Sequence, residues 1–535
     1  MAERPHLAVV GAGPAGLAAA LAAAGRGVRV TVLDSGAEAG GQFFRQVPVT
    51  LGAGRLGPPQ RRGRTWRRLR RLLDDRIADG SVRMLMGRHV WGVEGEVGDF
   101  RVRALRGDRG DDSVSVPADA VLLATGGHER VLPFPGWTLP GVITAGGAQA
   151  MLKGGLVLPG RTVVVAGTGP LLLPVAAGLA GAGAKVAALV EAAGPLGFVR
   201  AAPGLAAFPG KFAEGALYAG ELMRHLVPVV ARHTVVEAHG DGSGDGSGNG
   251  RGDARIAAVT VAALDRAGRV RPGSERRIAC DALAVGHGML AHTDLAETLG
   301  CRIDGLSVAV DGEQRTSVPG VWAAGEATGI GGAALSLAEG HAAGLSIGGR
   351  LTNSSPYEGR SWDLAVRARR RERAAFAAVD RAYGPPPAHW VEQVRADTVV
   401  CRCEEVTAGA VRAAVDVLGA GDLRTVKLLT RAGMGWCQGR VCGPGVAGVA
   451  GCELRAERRP FARPVPLGVL ARAEPGANPD HASDAQAESD AQSDSGAQAE
   501  SDAQSDSGAQ AEPDAQSDSG AHTESDADTG RKRSL

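Results

Sequence analysis

Four of the seven cysteines, Cys401, Cys403, Cys437 and Cys442, form two close pairs, C-x-C and C-x4-C, separated by 33 residues. Two pairs of soft thiolates brought together by an intervening fold can hold an iron–sulfur cluster or a tetrahedral zinc ion. The other thiols, Cys280, Cys301 and Cys452, stand singly. A second constellation opens the chain: Gly11-Ala12-Gly13-Pro14-Ala15-Gly16, with Asp34 18 residues after Gly16. At a strand-to-helix turn such glycines let a pyrophosphate approach the free N–H groups of the helix N-terminus, and the acid accepts from a ribose hydroxyl.

The elements that must position these residues follow from apolar periodicity. His6 to Val10 reads as a buried strand, Leu17 to Gly25 as a helix and Val28 to Leu33 as a second strand, making one βαβ unit. About 150 residues on, Thr162 to Ala166, the turn Gly167-Thr168-Gly169 and the strand Val186 to Val190 repeat that plan. The repeat predicts paired dinucleotide-binding units. Leu172 stands where the third small residue of the second turn belongs, and is expected to hold helix and strand farther apart. Glu191 ends the next strand and suits an unphosphorylated ribose. NAD, another adenine nucleotide or no ligand remain open for this second site. Leu7 to Gly25 imitates a signal peptide and Thr162 to Ala184 a membrane span, but each breaks at a G-x-G turn, so neither is expected.

Three later segments identify the first ligand. Gly40-Gly41-Gln42, Leu123-Ala124-Thr125-Gly126-Gly127 and Thr316 to Gly325-Glu326 resemble the flavin contacts of the two-dinucleotide-binding flavoprotein superfamily that includes glutathione reductase. The resemblance implies FAD in the first unit, and an α/β fold of two Rossmann-like domains. The superfamily usually has Asp where this chain has Glu326. No cysteine precedes Cys280, so the redox pair that a disulfide reductase needs near its flavin is missing. His128, His287 and His341 fall beside these segments, His287 being the strongest catalytic candidate of the three, and the sequence fixes no acid or serine partner for any of them.

Cys401-Arg-Cys403-Glu-Glu-Val-Thr and Thr430 to Cys442 resemble the [2Fe-2S] domain of bacterioferritin-associated ferredoxin, a small helical fold with its cluster on two loops. Val411, Val415 and Leu418 supply an apolar helix face between the loops, while Cys452 is expected in a helix as a core residue. Structural zinc is the main rival and plain thiols the lesser one. From residue 5 to about 460, these features together with Val285 to Cys301 resemble the α or A subunits of opine oxidase and of proline and D-hydroxyproline dehydrogenases, and the B subunit of hydrogen cyanide synthase. That resemblance implies one subunit of a heteromeric dehydrogenase oxidising a C–N bond of an amino or imino acid. Its partners are a β-subunit flavoprotein of D-amino-acid-oxidase type and a small ferredoxin-like subunit. The alternatives are a stand-alone NADH-dependent acceptor reductase and a non-catalytic nucleotide-binding assembly subunit.

The expected order is a first FAD-binding part over 1–155, a second dinucleotide-binding domain over 156–290 and a returning FAD-binding part over 291–350. Linker helices over 351–395, a [2Fe-2S] domain over 396–470 and an acidic repeat tail over 471–535 follow. From Asp480 to Leu535 fourteen acidic residues face three basic ones, and SDAQSDSGAQAE recurs with a period of 12. With no large apolar residue to bury, this tail is expected to be disordered. Arg61, Arg62, Arg64, Arg67, Arg68, Arg70 and Arg71, spaced around Trp66, Leu69, Leu72 and Leu73, read as an amphipathic surface helix. Gly240 to Gly252 reads as a flexible loop. Aromatics at 4% speak against nucleic acid. Seven cysteines, four of them ligand-like, point to the reducing cytoplasm.

Overall fold

A computed structural model describes residues 4–47, 63–107, 110, 112–242, 254–357, 360–455 and 459–472. Arg61, Arg62, most of the Gly240 to Gly252 segment and nearly all of the acidic tail lie outside the described residues. The continuous β-branched runs become strands covered on both faces, as parallel sheets require. The first sheet is parallel and orders Val321–Ala323, Ala120–Leu123, His6–Val10, Arg29–Leu33 and Val82–Leu85. The second is also parallel and orders Val229–Ala231, Lys185–Glu191, Thr162–Gly167, Ala282–Gly286 and Val142–Thr144. Each carries a three-stranded antiparallel sheet beside it, Arg88–Glu96 with Asp99–Arg106 and Asp112–Ala118, and His233–Gly240 with Ile256–Ala263 and Arg276–Ala279.

The chain leaves the first sheet along Gly127–Glu129 and returns along Met289–Ala291, and these two segments pair antiparallel. The helix Gly332–Leu351 then packs on Pro14–Ala24. A Cβ on Gly340 would stand 2.0 Å from the carbonyl oxygen of Ala15, and one on Gly344 2.3 Å from that of Ala19. Only glycine permits that approach. The helix Arg360–Tyr383 lies against both Gly332–Leu351 and Pro195–Ala206.

The four-cysteine segment folds as a short strand pair, Val399–Cys401 with Val406–Thr407, and the helices Ala408–Asp416, Leu423–Thr430 and Gly443–Ala450. Val400, Val411, Val426, Val446 and Val449 form its core. It is tied to the rest by a bidentate pair, Arg395 to Glu237 at 2.8 and 2.7 Å, by the Trp137 indole donating to the Val399 carbonyl at 2.5 Å, and by Gly445, whose Cβ would meet Pro133 at 2.7 Å.

Three local expectations change. Leu418 lies beyond its helix and is exposed, so Val411 and Val415 carry the apolar face with Ala414. Cys452 follows the helix that ends at Ala450 instead of lying in it. In the basic helix Gly63–Ala78, Trp66, Leu69 and Leu73 are buried while Leu72 is exposed, because it falls off the stripe they share. Among the described residues no helix is long and apolar enough to cross a membrane. Gly340→Ala should lower stability by about 1–3 kcal/mol through overpacking. Gly220→Ala, where a Cβ meets nothing within 4 Å, should not; urea unfolding of both variants checks the contrast.

Candidate functional site

The first βαβ unit builds a cradle from close backbone contacts. Gly11 turns at φ +110°, and a Cβ there would stand 2.2 Å from the Ala124 carbonyl oxygen; one on Gly16 would stand 1.8 Å from that of Gly11. A Cβ on Gly13 meets nothing within 4 Å, and Gly13 faces a cavity of about 2300 Å³. The first helix begins at Pro14 with Gly13 as its N-cap and no side chain capping its amides, which leaves N–H groups free for an anion. Gly41, at φ +59°, packs over Gly13, and Gln42 lines the same wall. Asp34 accepts from the Ala12 and Gly36 N–H groups, each at 2.6 Å, and a carboxylate has capacity for a further hydroxyl.

The other end of the cradle comes from distant chain. Thr125 donates to the His292 carbonyl at 2.7 Å, and Gly126 lines the cavity. Gly325 turns at φ +79°, and its N–H donates to Glu339 at 3.0 Å. Glu339, fully buried, also accepts from Thr328 at 2.9 Å and Arg373 at 2.6 Å. The reading from residues alone passed over Glu339, although it is the one carboxylate in an Ala/Gly/Leu helix. Burial pushes the Glu326 carboxyl up against the pull of the Gly332 N–H.

The second unit opens onto the same cavity through Thr168, Gly169 and Leu171. Gly167 turns at φ +132°, its Cβ position 1.7 Å from the Gly286 carbonyl oxygen, while Gly169 faces open space. The expectation for Leu172 takes a specific form: the helix begins only at Leu172, two residues later relative to its turn than in the first unit, and Leu172 is buried in the helix–sheet core. Glu191 accepts from Ala193 N–H at 2.9 Å and Gly169 N–H at 3.4 Å. Burial nevertheless pushes its carboxyl up to about 7.

His128 and His287 line the cavity, and burial lowers each to about 4, so both imidazoles are neutral at pH 7. His341 lies in the helix Gly332–Leu351, away from the lining residues. Burial also lowers Lys153, which stands near Arg45 on the cavity wall. No cysteine is among the described residues that line the cavity.

The four cysteines do converge. Cys442 stands close enough to both Cys401 and Cys437 for the thiols to perturb one another, and Cys437 likewise to Cys403. The neighbouring Cys442 thiol and the N–H groups of Val441, Gly439 and Cys442 hold Cys437 down at about 4, against burial. Cys401 is held at about 6 by Cys442 and the Gly433 N–H, while these same thiol contacts push Cys442 up. Amides directed at sulfur favour the thiolates that an iron–sulfur centre requires. A Cβ on Gly435 would stand 2.2 Å from Cys403 Cβ, so the loop closes only with glycine there. Among the described residues no group of three His, Cys, Asp or Glu side chains is arranged for a single metal ion. Cys280 and Cys301 are buried elsewhere, with thiols raised by burial.

Between the two sites runs a segment of the returning chain. Asp294, 8% exposed, accepts from Arg440 Nε at 2.9 Å and from Arg459. Burial pushes its carboxyl up, but His292, Arg440 and Arg459 outweigh it and leave it below the usual range.

Two dinucleotide-binding units on one cavity, joined to a separate four-thiol domain, define a FAD-dependent oxidoreductase with a glutathione-reductase-like fold. The pyridine nucleotide-disulphide oxidoreductase family matches residues 5–344, and the BFD-like [2Fe-2S] binding domain matches residues 399–449. Hydrogen cyanide synthase subunit HcnB of Pseudomonas aeruginosa is 36% identical over 439 residues, 81% of this chain and 90% of that protein. The opine oxidase A subunit of Rhizobium meliloti is 35% identical over 487 residues, 86% of this chain and 97% of its own length. The fold is also that of L-proline dehydrogenase from P. horikoshii, with a TM-score of 0.58 at 19% identity over 88% of this chain and 81% of that one. The chain belongs to the pyridine nucleotide-disulphide oxidoreductases and, within them, to the group of HcnB and the opine oxidase A subunits.

Because the Glu191 carboxyl is raised in the fold to about 7 from an ordinary 4.5, its contribution is fully present below pH 4.5 and is lost as pH rises through 7. Glu191→Gln should match the parent protein in acid and exceed it by roughly 3 kcal/mol at pH 9. Urea titrations across that range, without added nucleotide, measure the difference.

Proposed function

We propose that the chain is the electron-handling subunit of a heteromeric cytoplasmic dehydrogenase that oxidises the C–N bond of an amino acid, imino acid or opine. Gly11, Gly13, Pro14, Ala15, Gly16, Asp34, Gly41, Gln42, Thr125, Gly126, Gly325 and Glu326 hold FAD, and Cys401, Cys403, Cys437 and Cys442 hold a [2Fe-2S] cluster. FAD accepts electrons in pairs and the cluster singly, so together they convert one mode into the other. The convergence of the four sulfurs on two loops, in a domain docked against the flavoprotein body, carries this reading. The open room at Gly13 and the uncapped N–H groups of the first helical turn after Pro14, at Ala15 and Gly16, fit the pyrophosphate. Asp34 holds the adenosine ribose in reach, and Glu339 fixes the Gly325 turn.

The substrate-oxidising partner is a D-amino-acid-oxidase-like flavoprotein, with a small ferredoxin-like chain as the third component. HcnB and the opine oxidase A subunits are both named as parts of larger enzymes, which favours such an assembly over a stand-alone enzyme. The second site, with Gly167, Gly169 and Glu191, is proposed to take NAD or another adenine nucleotide. The six expected segments from 1–155 to the 471–535 tail are kept as the domain boundaries of this proposal.

Co-expression with the flavoprotein partner should give a complex that reduces dyes when supplied with an amino or imino acid, while the isolated chain does not. Full dehydrogenase activity from the isolated chain would overturn the division of labour. Mixing the isolated chain anaerobically with NADH should leave its flavin spectrum unbleached. In Cys437→Ser, the iron–sulfur absorption and paramagnetic signal should vanish while FAD stays bound; loss of zinc alone in that variant would exclude a cluster.

A further inference from the structure

The segment Leu290–Asp294 touches both candidate centres. On one side the His292 N–H donates to the Gly126 carbonyl at 2.9 Å and the His292 carbonyl accepts from Thr125, both in the flavin cradle. The His292 ring stands edge-on to His128 at 5.9 Å between centroids, and His128 lines the cavity. On the other side Asp294 accepts from Arg440, which lies between Cys437 and Cys442 in the chain and also donates to the Cys437 carbonyl at 3.2 Å. Arg440 further reaches the Ala462 carbonyl, and Arg459 adds a second cation to Asp294. The three side chains of this ion group are 9, 18 and 16% exposed for Asp294, Arg440 and Arg459. A carboxylate so enclosed, two residues from a cradle contact, costs desolvation unless its partners are held in place.

We propose that Asp294 is the positioning residue that locks the cysteine loop 437–442 at a set distance from the flavin cradle, through Arg440. The inference rests on the two-centre reading above. Asp294 also stands 3.5 Å from Nε2 of His292, so one carboxylate faces a cradle contact on one side and the cysteine loop, through Arg440, on the other. Only Thr293 separates the cradle contact at His292 from Asp294, and Thr293 is fixed by its hydroxyl donating to Glu297 and its carbonyl accepting from the Glu297 N–H; the path from the 125–126 turn to the cysteine loop is thus short.

Asp294→Asn keeps the shape and removes the charge. In the purified holo-complex the variant should retain the parent content of FAD, iron and sulfide and the parent cluster signal. Hydrogen exchange of the Gly439–Gly443 amides should rise, and electron transfer from flavin to cluster, followed by rapid mixing, should slow by at least about tenfold, as misplacement of reacting groups commonly does. Asp294→Glu should restore part of both. If the Asn variant is not recovered folded, Arg440→Gln tests the same bond from the other side and should show the same pair of changes. Parent exchange and parent transfer rate in a fully loaded variant would overturn the positioning role alone. A parent protein without iron and sulfide would instead overturn the two-centre reading.

Discussion

The backbone of the helix Gly332–Leu351 lies against that of Pro14–Ala24 so closely that Gly340 and Gly344 have no room for a methyl group. The rest of the flavoprotein body depends on this contact. Pro14 begins the helix that offers its N–H groups to the cavity, and Gly325 to Thr328 lead into the helix that covers it. Glu339, beside Gly340, reaches back to the Gly325 N–H and to Thr328, so the same packing that joins the helices sets the turn at the far end of the cradle. Close packing of small residues gains dispersion without rotamer entropy, and leaves little freedom to slide.

The crossing of the chain between its two sheets is the second determinant. Because Gly127–Glu129 and Met289–Ala291 run side by side, both βαβ units face one cavity. The units are nevertheless unequal. Gly16 allows the first helix to begin at Pro14 over the turn, whereas Leu172, packed into its own core, sets the second helix back. Glu191 then binds the Gly169 N–H at 3.4 Å, longer than the 2.6 Å of Asp34 to Ala12. The acid that ends the second strand is therefore held less tightly to its glycine turn than Asp34 is, and burial raises its pKa. The fold of a disulphide oxidoreductase is thus kept with no cysteine on the cavity wall among the described residues, and four cysteines are gathered instead in a separate small domain.

Much of this was legible because it is local. The strand His6–Val10, the two glycine turns, the acids Asp34 and Glu191 at or just after the strand ends and the basic helix with Trp66, Leu69 and Leu73 inward all follow from spacing along a single element. Leu418 and Leu72 were misplaced because the end of a helix and the edge of its apolar stripe depend on what it packs against. Cys452 left its helix because Gly451, at φ +65°, terminates that helix one residue earlier.

By itself the sequence determined the two βαβ units, the flavin segments, the four-thiol pattern and the absence of cysteine before Cys280, since each is a matter of residue type and short spacing. Only the tertiary structure decided which distant residues meet. Glu339 meets Gly325, Arg373 meets Glu339, and Asp294 meets Arg440 across 146 residues. Those pairs carry no periodicity. Their partners are chosen by where two sheets and a docked helical domain place their surfaces, and a buried charge is tolerated only where that placement supplies its counter-charge.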